Sequence, residues 1–214
     1  MTKKLFLLMA IVFIGQWVQA QKIHYMIKAG INGTNGYFSE AGQKGSASFL
    51  PGAYVGLQLK AAFEPPLYFT PQINLLHKAT EFTLNNGSDT AKLRLELNQI
   101  QIAPFLQYDF HKDGQAGFFI NGSLSLYTSI SGKSTVTHTD GSKTKTNMRF
   151  SKTAYGTFEA GAHLGVGYEW NKLALQLMYH QGLSNMFNGD NSVYSTGPKI
   201  RFNSLSLGIG WYLN

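Results

Sequence analysis

The chain has no cysteine among its 214 residues, so no disulfide scaffold can staple it. Its one long apolar run, Leu5 to Gly15, stands at the N-terminus. A helical membrane protein is thereby excluded, because nothing after that run could span a bilayer as a helix. Acidic side chains are scarce: 11 Asp and Glu face 18 Lys and Arg, a formal charge of +7. The cationic excess is scattered through loops, with no basic stripe carrying aromatics, so no nucleic-acid partner is expected. A membrane-spanning β-barrel survives all of these absences, since its strands give only a weak hydropathy signal.

The first twenty residues read as a signal peptide. Lys3 and Lys4 supply the positive region and Leu5 to Gly15 the apolar region. Val18-Gln19-Ala20 has the small and aliphatic residues of a cleavage site. The run is too short for a helical span, and Gln16 and Gln19 interrupt its end. Cleavage is expected after Ala20, leaving residues 21–214 as one domain. Losing two lysines lowers the formal charge to about +5.

Strict alternation then recurs eight times. "KIHYMIKAGIN" places Ile23, Tyr25, Ile27, Ala29 and Ile31 on one face. "GAYVGLQLKAAF" and "LYFTPQINLLHK" follow the same rule. "LRLELNQIQIAPFLQYDF" changes phase: Leu93, Leu95 and Leu97 are odd-numbered, Ile100, Ile102 and Leu106 even. An extra residue near Asn98-Gln99, a β-bulge, would restore one apolar face. "FFINGSLSLYTSI", "TFEAGAHLGVGYEW", "LALQLMYH" and "SLSLGIGWYLN" complete the set. Short turns at Glu64–Pro66, His111–Gln115 and Asn171–Lys172 alternate with long stretches at Gly33–Ser48, Ser131–Ala154 and Met186–Pro198. Asn85–Lys92 reads as a polar loop. This is the layout of an eight-stranded antiparallel up-and-down barrel.

Alternation alone leaves two solvents for the apolar face. A soluble, lipocalin-like barrel turns it inward; a transmembrane barrel turns it to lipid. The other face is rich in Gly, Ser, Asn and Gln, which suit a narrow polar lumen. Tyr25, Phe69, Tyr168, Trp170, Tyr179 and Trp211 gather near strand ends on the apolar face, as an interfacial girdle does. Both features favour the membrane. Lys28, Lys60, Arg94, Glu96, Glu159, His163, Glu169 and His180 then read as lumen-facing. Pro71 and Pro104 fall within strands, where each removes a ladder donor, and local bulging is expected there.

"IKAGIN", "NQIQIAPFLQYDF", "GAHLGVGYEW", "YHQGLSN" and "SLSLGIGWYL" resemble the strand and turn patterns of the PorT-like group of outer-membrane β-barrel proteins. Here the usual terminal aromatic is followed by Leu213-Asn214. The resemblance implies a barrel in the outer membrane, with lipid and lipopolysaccharide as neighbours. It also implies, for some relatives, a part in secretion alongside other envelope proteins.

Catalysis has a weak basis. His180 and Ser184, with Glu159 or Glu169, have the composition of a hydrolase triad. "HQGLSN" nevertheless lacks the spacing of barrels that deacylate lipid A. His163 and His180 share the inward face without a Cys or Asp cluster, so no metal is expected. No cofactor is expected either. "HTDGSKTKTN" (His138 to Asn147) reads as a solvated loop whose Lys143 and Lys145 could touch phosphates of lipopolysaccharide. An eight-stranded lumen is filled by its own side chains, so the expected role is structural or interactive rather than a pore.

Overall fold

The structure is a computed structural model that describes residues 23–40, 43–86, 89–112, 115–150, 155–186 and 199–214. The leader and cleavage site expected from the sequence fall in residues 1–22, outside the described residues. Among the described residues nine strands follow in chain order: β1 (Ile23–Glu40), β2 (Gln43–Glu64), β3 (Leu67–Asn86), β4 (Asp89–Asp109), β5 (Gly117–Thr137), β6 (Lys143–Asn147), β7 (Phe158–Trp170), β8 (Leu173–Gly182) and β9 (Lys199–Tyr212). All pairings are antiparallel between neighbours, β1 also pairs with β9, and β4 with β5. Eight strands therefore close into a barrel. β6 is extra, laid along the upper part of β5 above the point where β7 takes over as its neighbour. Among the described residues no helix is long and apolar enough to cross a membrane.

The faces divide by parity. Ile27, Leu57, Ile73, Ile102, Leu126, Val166, Leu177 and Leu207, one from each barrel strand, are 44–61 % exposed. Lys28, Lys60 and Lys78, pointing inward, are 2–4 % exposed. Apolar outside and charged inside is the reverse of a soluble barrel. It is stable only if hydrocarbon meets the outer wall.

Tight turns close one end. Pro65 and Pro66 connect β2 to β3, and Asn171, at φ +54°, takes the left-handed position in the two-residue turn between β7 and β8. Both described ends of the chain lie here. Asn214 joins them, its Oδ1 accepting from Tyr25 N and its Nδ2 donating to Ile23 O.

The opposite end departs from the sequence reading. β1 to β5 have 18–22 residues, about twice the 9–11 that a tilted membrane strand requires. Most of Gly33–Ser48, Asn85–Lys92 and the start of Ser131–Ala154 is strand rather than loop. The supposed loop from His138 is a hairpin turn followed by β6. Above the lipid band the barrel continues into water, and the wall changes character. The row His77–Asn98–Ser131 marks the boundary, with His77 Nδ1 2.9 Å from Asn98 Oδ1 and Asn98 Nδ2 donating to Ser131 Oγ at 2.9 Å. On β8 and β9, Gln181 Nε2 donates to Asn203 Oδ1 at 2.8 Å.

The phase change in β4 has a different cause from the one expected. Leu95, Leu97, Gln99, Gln101, Ala103, Phe105, Gln107 and Asp109 all face inward and are buried, so β4 keeps one parity throughout. The extra residue is Ile130 on β5, between the pairs Asn98↔Ser131 and Gln99↔Ser129. What switches is the filling, from polar within the membrane to apolar above it. The prolines also differ from expectation. Pro71 pairs directly with Pro104, and the rungs they cannot make are those to β2 and β5. Those ladders skip from Gln58↔Gln72 to Ala61↔Phe69 and from Ile102↔Leu126 to Leu106↔Gly122 without any change of register. Rungs are lost and no bulge forms.

Candidate functional site: a filled and layered barrel interior

Glycines on the inner faces give the barrel room for large side chains from other strands. A Cβ on Gly208 would strike the Tyr54 hydroxyl, and one on Gly30 the Tyr54 ring at 2.6 Å. Phe119 lies likewise against Gly167, and Met26 against Gly210. Large side chains reaching across to small ones fill the bore that eight strands enclose.

At the short-turn end, Lys60 of β2 holds two carboxylates. Its Nζ is 2.6 Å from Asp109 Oδ2 and 2.7 Å from Glu169 Oε2, and 4.5 Å from the centre of the Tyr68 ring. Gln107 Nε2 donates to the other oxygens of both acids, at 2.8 and 3.0 Å, and Tyr212 donates to Glu169 Oε1 at 2.7 Å. Asp109, His111 and Glu169 bring three potential metal-ligating atoms within 4.8 Å of one another. The Lys60 ammonium sits on the same two carboxylates, so a cation would have to displace it.

The next level belongs to Lys28 of β1. Its Nζ donates to the amide oxygens of Gln72 at 2.7 Å, Gln176 at 3.1 Å and Gln58 at 3.3 Å. Above it, Asn74 donates to Gln101 Oε1 at 2.6 Å, which turns the Gln101 amide nitrogen toward His163 Nε2 at 3.0 Å. An amide nitrogen can only donate, so His163 Nε2 accepts and a neutral ring carries its proton on Nδ1. Tyr127 OH is 2.8 Å from the same Nε2. Lys78 of β3 then meets Glu159 Oε2 at 3.4 Å, with Gln99 donating to that oxygen at 3.2 Å. Among the described residues the buried Lys28, Lys60 and Lys78 equal in number the buried Asp109, Glu159 and Glu169, so their formal charges cancel.

Above Glu159 the interior becomes apolar. Phe38, Phe82, Leu95, Leu97, Met148, Met186, Ile200 and Phe202 form one cluster that closes the long-loop end. Near it, burial pushes the Tyr155 phenol up from its ordinary range. At the exposed hairpin tip, Ser142 donates to Asp140 Oδ1 from its hydroxyl at 2.6 Å and its amide at 2.9 Å, and these bonds hold the carboxyl below the usual range.

Six of the eight residues read as lumen-facing point inward: Lys28, Lys60, Glu159, His163, Glu169 and His180. Arg94 and Glu96 do not. Their side chains, 47 % and 33 % exposed, pair with each other at 2.7 Å on the outer wall above the lipid band. Leu95 and Leu97 took the inner face because the apolar cap needed them, and water outside accepts the charges. Tyr25, Phe69, Tyr168, Trp170 and Trp211 lie on the outer wall toward the short-turn end. Phe118 joins that belt, edge-on to Tyr168 at 4.9 Å. Tyr179 lies toward the other boundary, its hydroxyl donating to Gln181 Oε1 at 2.7 Å. Sequence reasoning missed Lys78 and Asp109. Both share the parity of inward Gln72 and Gln107, so carrying each alternation further along its strand would have found them. In the supposed triad, Ser184 Oγ accepts from Ala160 N at 2.8 Å, and His180 Nε2 is 3.9 Å from Glu159 Oε1.

The chain is similar to several solved structures. OprG from Pseudomonas aeruginosa is 12 % identical, with a TM-score of 0.46 over 91 % of this chain and 97 % of that one. Ail from Yersinia pestis, in complex with the heparin analogue sucrose octasulfate, is 10 % identical, with a TM-score of 0.43 over 90 % and 99 % of the two chains. Neisserial surface protein A is 15 % identical, with a TM-score of 0.39 over 87 % and 96 %. Likenesses this distant concern the fold alone. No curated protein matches the sequence significantly. The family model described as "Outer membrane protein beta-barrel domain" matches residues 19–188. With its lipid-facing wall, its closed ring of eight strands and that match, the chain belongs to the outer membrane protein β-barrel domain family and is located in the outer membrane.

Proposed function

We propose that the protein is a non-enzymatic, non-conducting barrel that serves the envelope by anchoring a rigid surface-exposed rim in the outer membrane. Short turns face the periplasm in barrels of this kind, and long connections face outward. One observation carries the reading. The interior is occupied at every level, from the Lys60 ion cluster through the Lys28 amide cage to the apolar cap of Phe38, Phe82 and Phe202. A solute would have to break buried ion pairs and then an apolar core. After reconstitution into planar bilayers the protein should give no steady open-channel steps. Sustained conductance of porin type would contradict the reading. The PorT-like resemblance suggests an accessory role in secretion instead. That role would appear as crosslinks from the rim to secretion components and as a secretion defect on deletion.

A further inference from the structure

Resting on the outer-membrane reading above, we propose that the outer wall of β4, β5 and β6 seats the headgroup of a phosphate-bearing glycolipid of the outer leaflet. The strand register sets three rows of side chains across one sheet face: Lys92–Thr137–Lys143, Arg94–Thr135–Lys145 and Glu96–Lys133–Asn147. Facing pairs stand about 5 Å apart and diagonal ones about 7–8 Å. Five cations thus share one patch. Glu96 is committed to Arg94 and Glu81 to Lys92, the latter at 3.6 Å. Lys133, Lys143 and Lys145 have no carboxylate partner among the described residues. The patch therefore carries an uncompensated positive charge that a phosphate would complement.

Position narrows the partner to a lipid. Directly below the rows comes the polar boundary His77–Asn98–Ser131, and below that Leu75 and Ile100 face hydrocarbon. A cleft of about 480 Å³ opens at this boundary, lined by His77, Asn98, Ile130, Lys133, Asn147 and Phe150 among others. Ile130 is the unpaired residue of the β5 bulge and is 53 % exposed. A bulge bends its strand and re-aims its side chains. Here the cleft has imidazole, amide and hydroxyl groups at the level of a sugar, Lys133 at the level of a phosphate, and apolar side chains continuous with the acyl zone. A soluble polyanion would use the cations but leave the apolar floor without a partner.

The test uses the full mature chain in nanodiscs of phosphatidylcholine containing a minority of diphosphorylated lipid A. Native mass spectrometry counts the glycolipid that stays with the barrel. The wild type should retain it, and inorganic phosphate should not displace it. Lys133→Gln with Lys145→Gln should weaken retention about 30-fold, the equivalent of about 2 kcal/mol for the two cations removed. Lys199→Gln with Arg201→Gln, on the outer wall of β9, should leave it unchanged. Heat-modifiable gel mobility checks that every variant is a folded barrel. Equal retention by the Lys133/Lys145 variant, or equal retention of phosphate-free lipid A, would overturn the proposal. Retention of no glycolipid by an inserted wild-type barrel would overturn it too, leaving the outer-membrane reading intact. Failure of the wild type to insert would defeat the underlying reading instead.

Discussion

Lys60→Met is expected to remove about 3–5 kcal/mol of folding stability at neutral pH, the cost of breaking a buried ion pair by deleting one partner. Lys60 is the ammonium between two carboxylates, and the side chains of Asp109 and Glu169 are 0 % and 9 % exposed. Methionine fills the volume of the stem but leaves two negative charges facing each other across the bore. Gln107 and Tyr212 already donate to these acids, and no donation from them removes charge. His111 Nε2, 3.5 Å from Glu169 Oε2, compensates only when protonated. Adding Asp109→Asn and Glu169→Gln to Lys60→Met should recover most of the loss, because a neutral hydrogen-bonded set replaces an unpaired one. Equilibrium urea unfolding in lipid vesicles reads both variants. Unchanged stability of the single variant would show that the cluster is wet and weakly coupled.

Leu207→Arg is expected to cost about 2–4 kcal/mol, the range for a cation near the midplane on the lipid face of a barrel. Leu207 faces outward between Ile31 of β1 and Leu177 of β8, with Leu205 and Ile209 above and below it. The same strand already carries an outward arginine. Arg201 lies three outward positions further up, beyond Asn203, where the outer solvent is water. One strand face thus tolerates arginine at 201 and should reject it at 207. Ser206→Asn, on the inner face, should cost far less, because amide and hydroxyl partners surround that position. The same unfolding titration compares the three, and a Leu207→Arg cost near zero would remove lipid from the outer wall.

Much of this arrangement is legible in the sequence, because alternation reports side-chain parity directly. All eight barrel strands and their order follow from it, as does the inward placement of Lys28, Lys60, Glu159 and Glu169. Parity does not report which solvent each face meets, and here that changes along a single strand. Leu95 and Gln101 face the same interior, yet one joins an apolar cap and the other a polar network. Read as one environment, the change looked like a bulge in β4 and sent Arg94 and Glu96 inward. The ion cluster was obscured differently. Asp109 and His111 stand at the edge of "YDFHKDGQ", where turn chemistry masks the end of the alternation, and their nearness to Lys60 and Glu169 exists only after ring closure. The β4–β6 cationic rows depend on register across three strands, which no local pattern encodes.

Because the chain has no cysteine, single cysteines placed at positions 207, 94 and 95 can each report their own solvent in intact vesicles. A fluorophore at 207 should be quenched by lipid-borne bromine, while a water-soluble maleimide labels that position slowly. Position 94 should label fast without lipid quenching. Position 95, within the apolar cap, should resist both. Fast aqueous labelling at 207 with no lipid quenching would contradict a barrel whose outer wall passes from hydrocarbon into water.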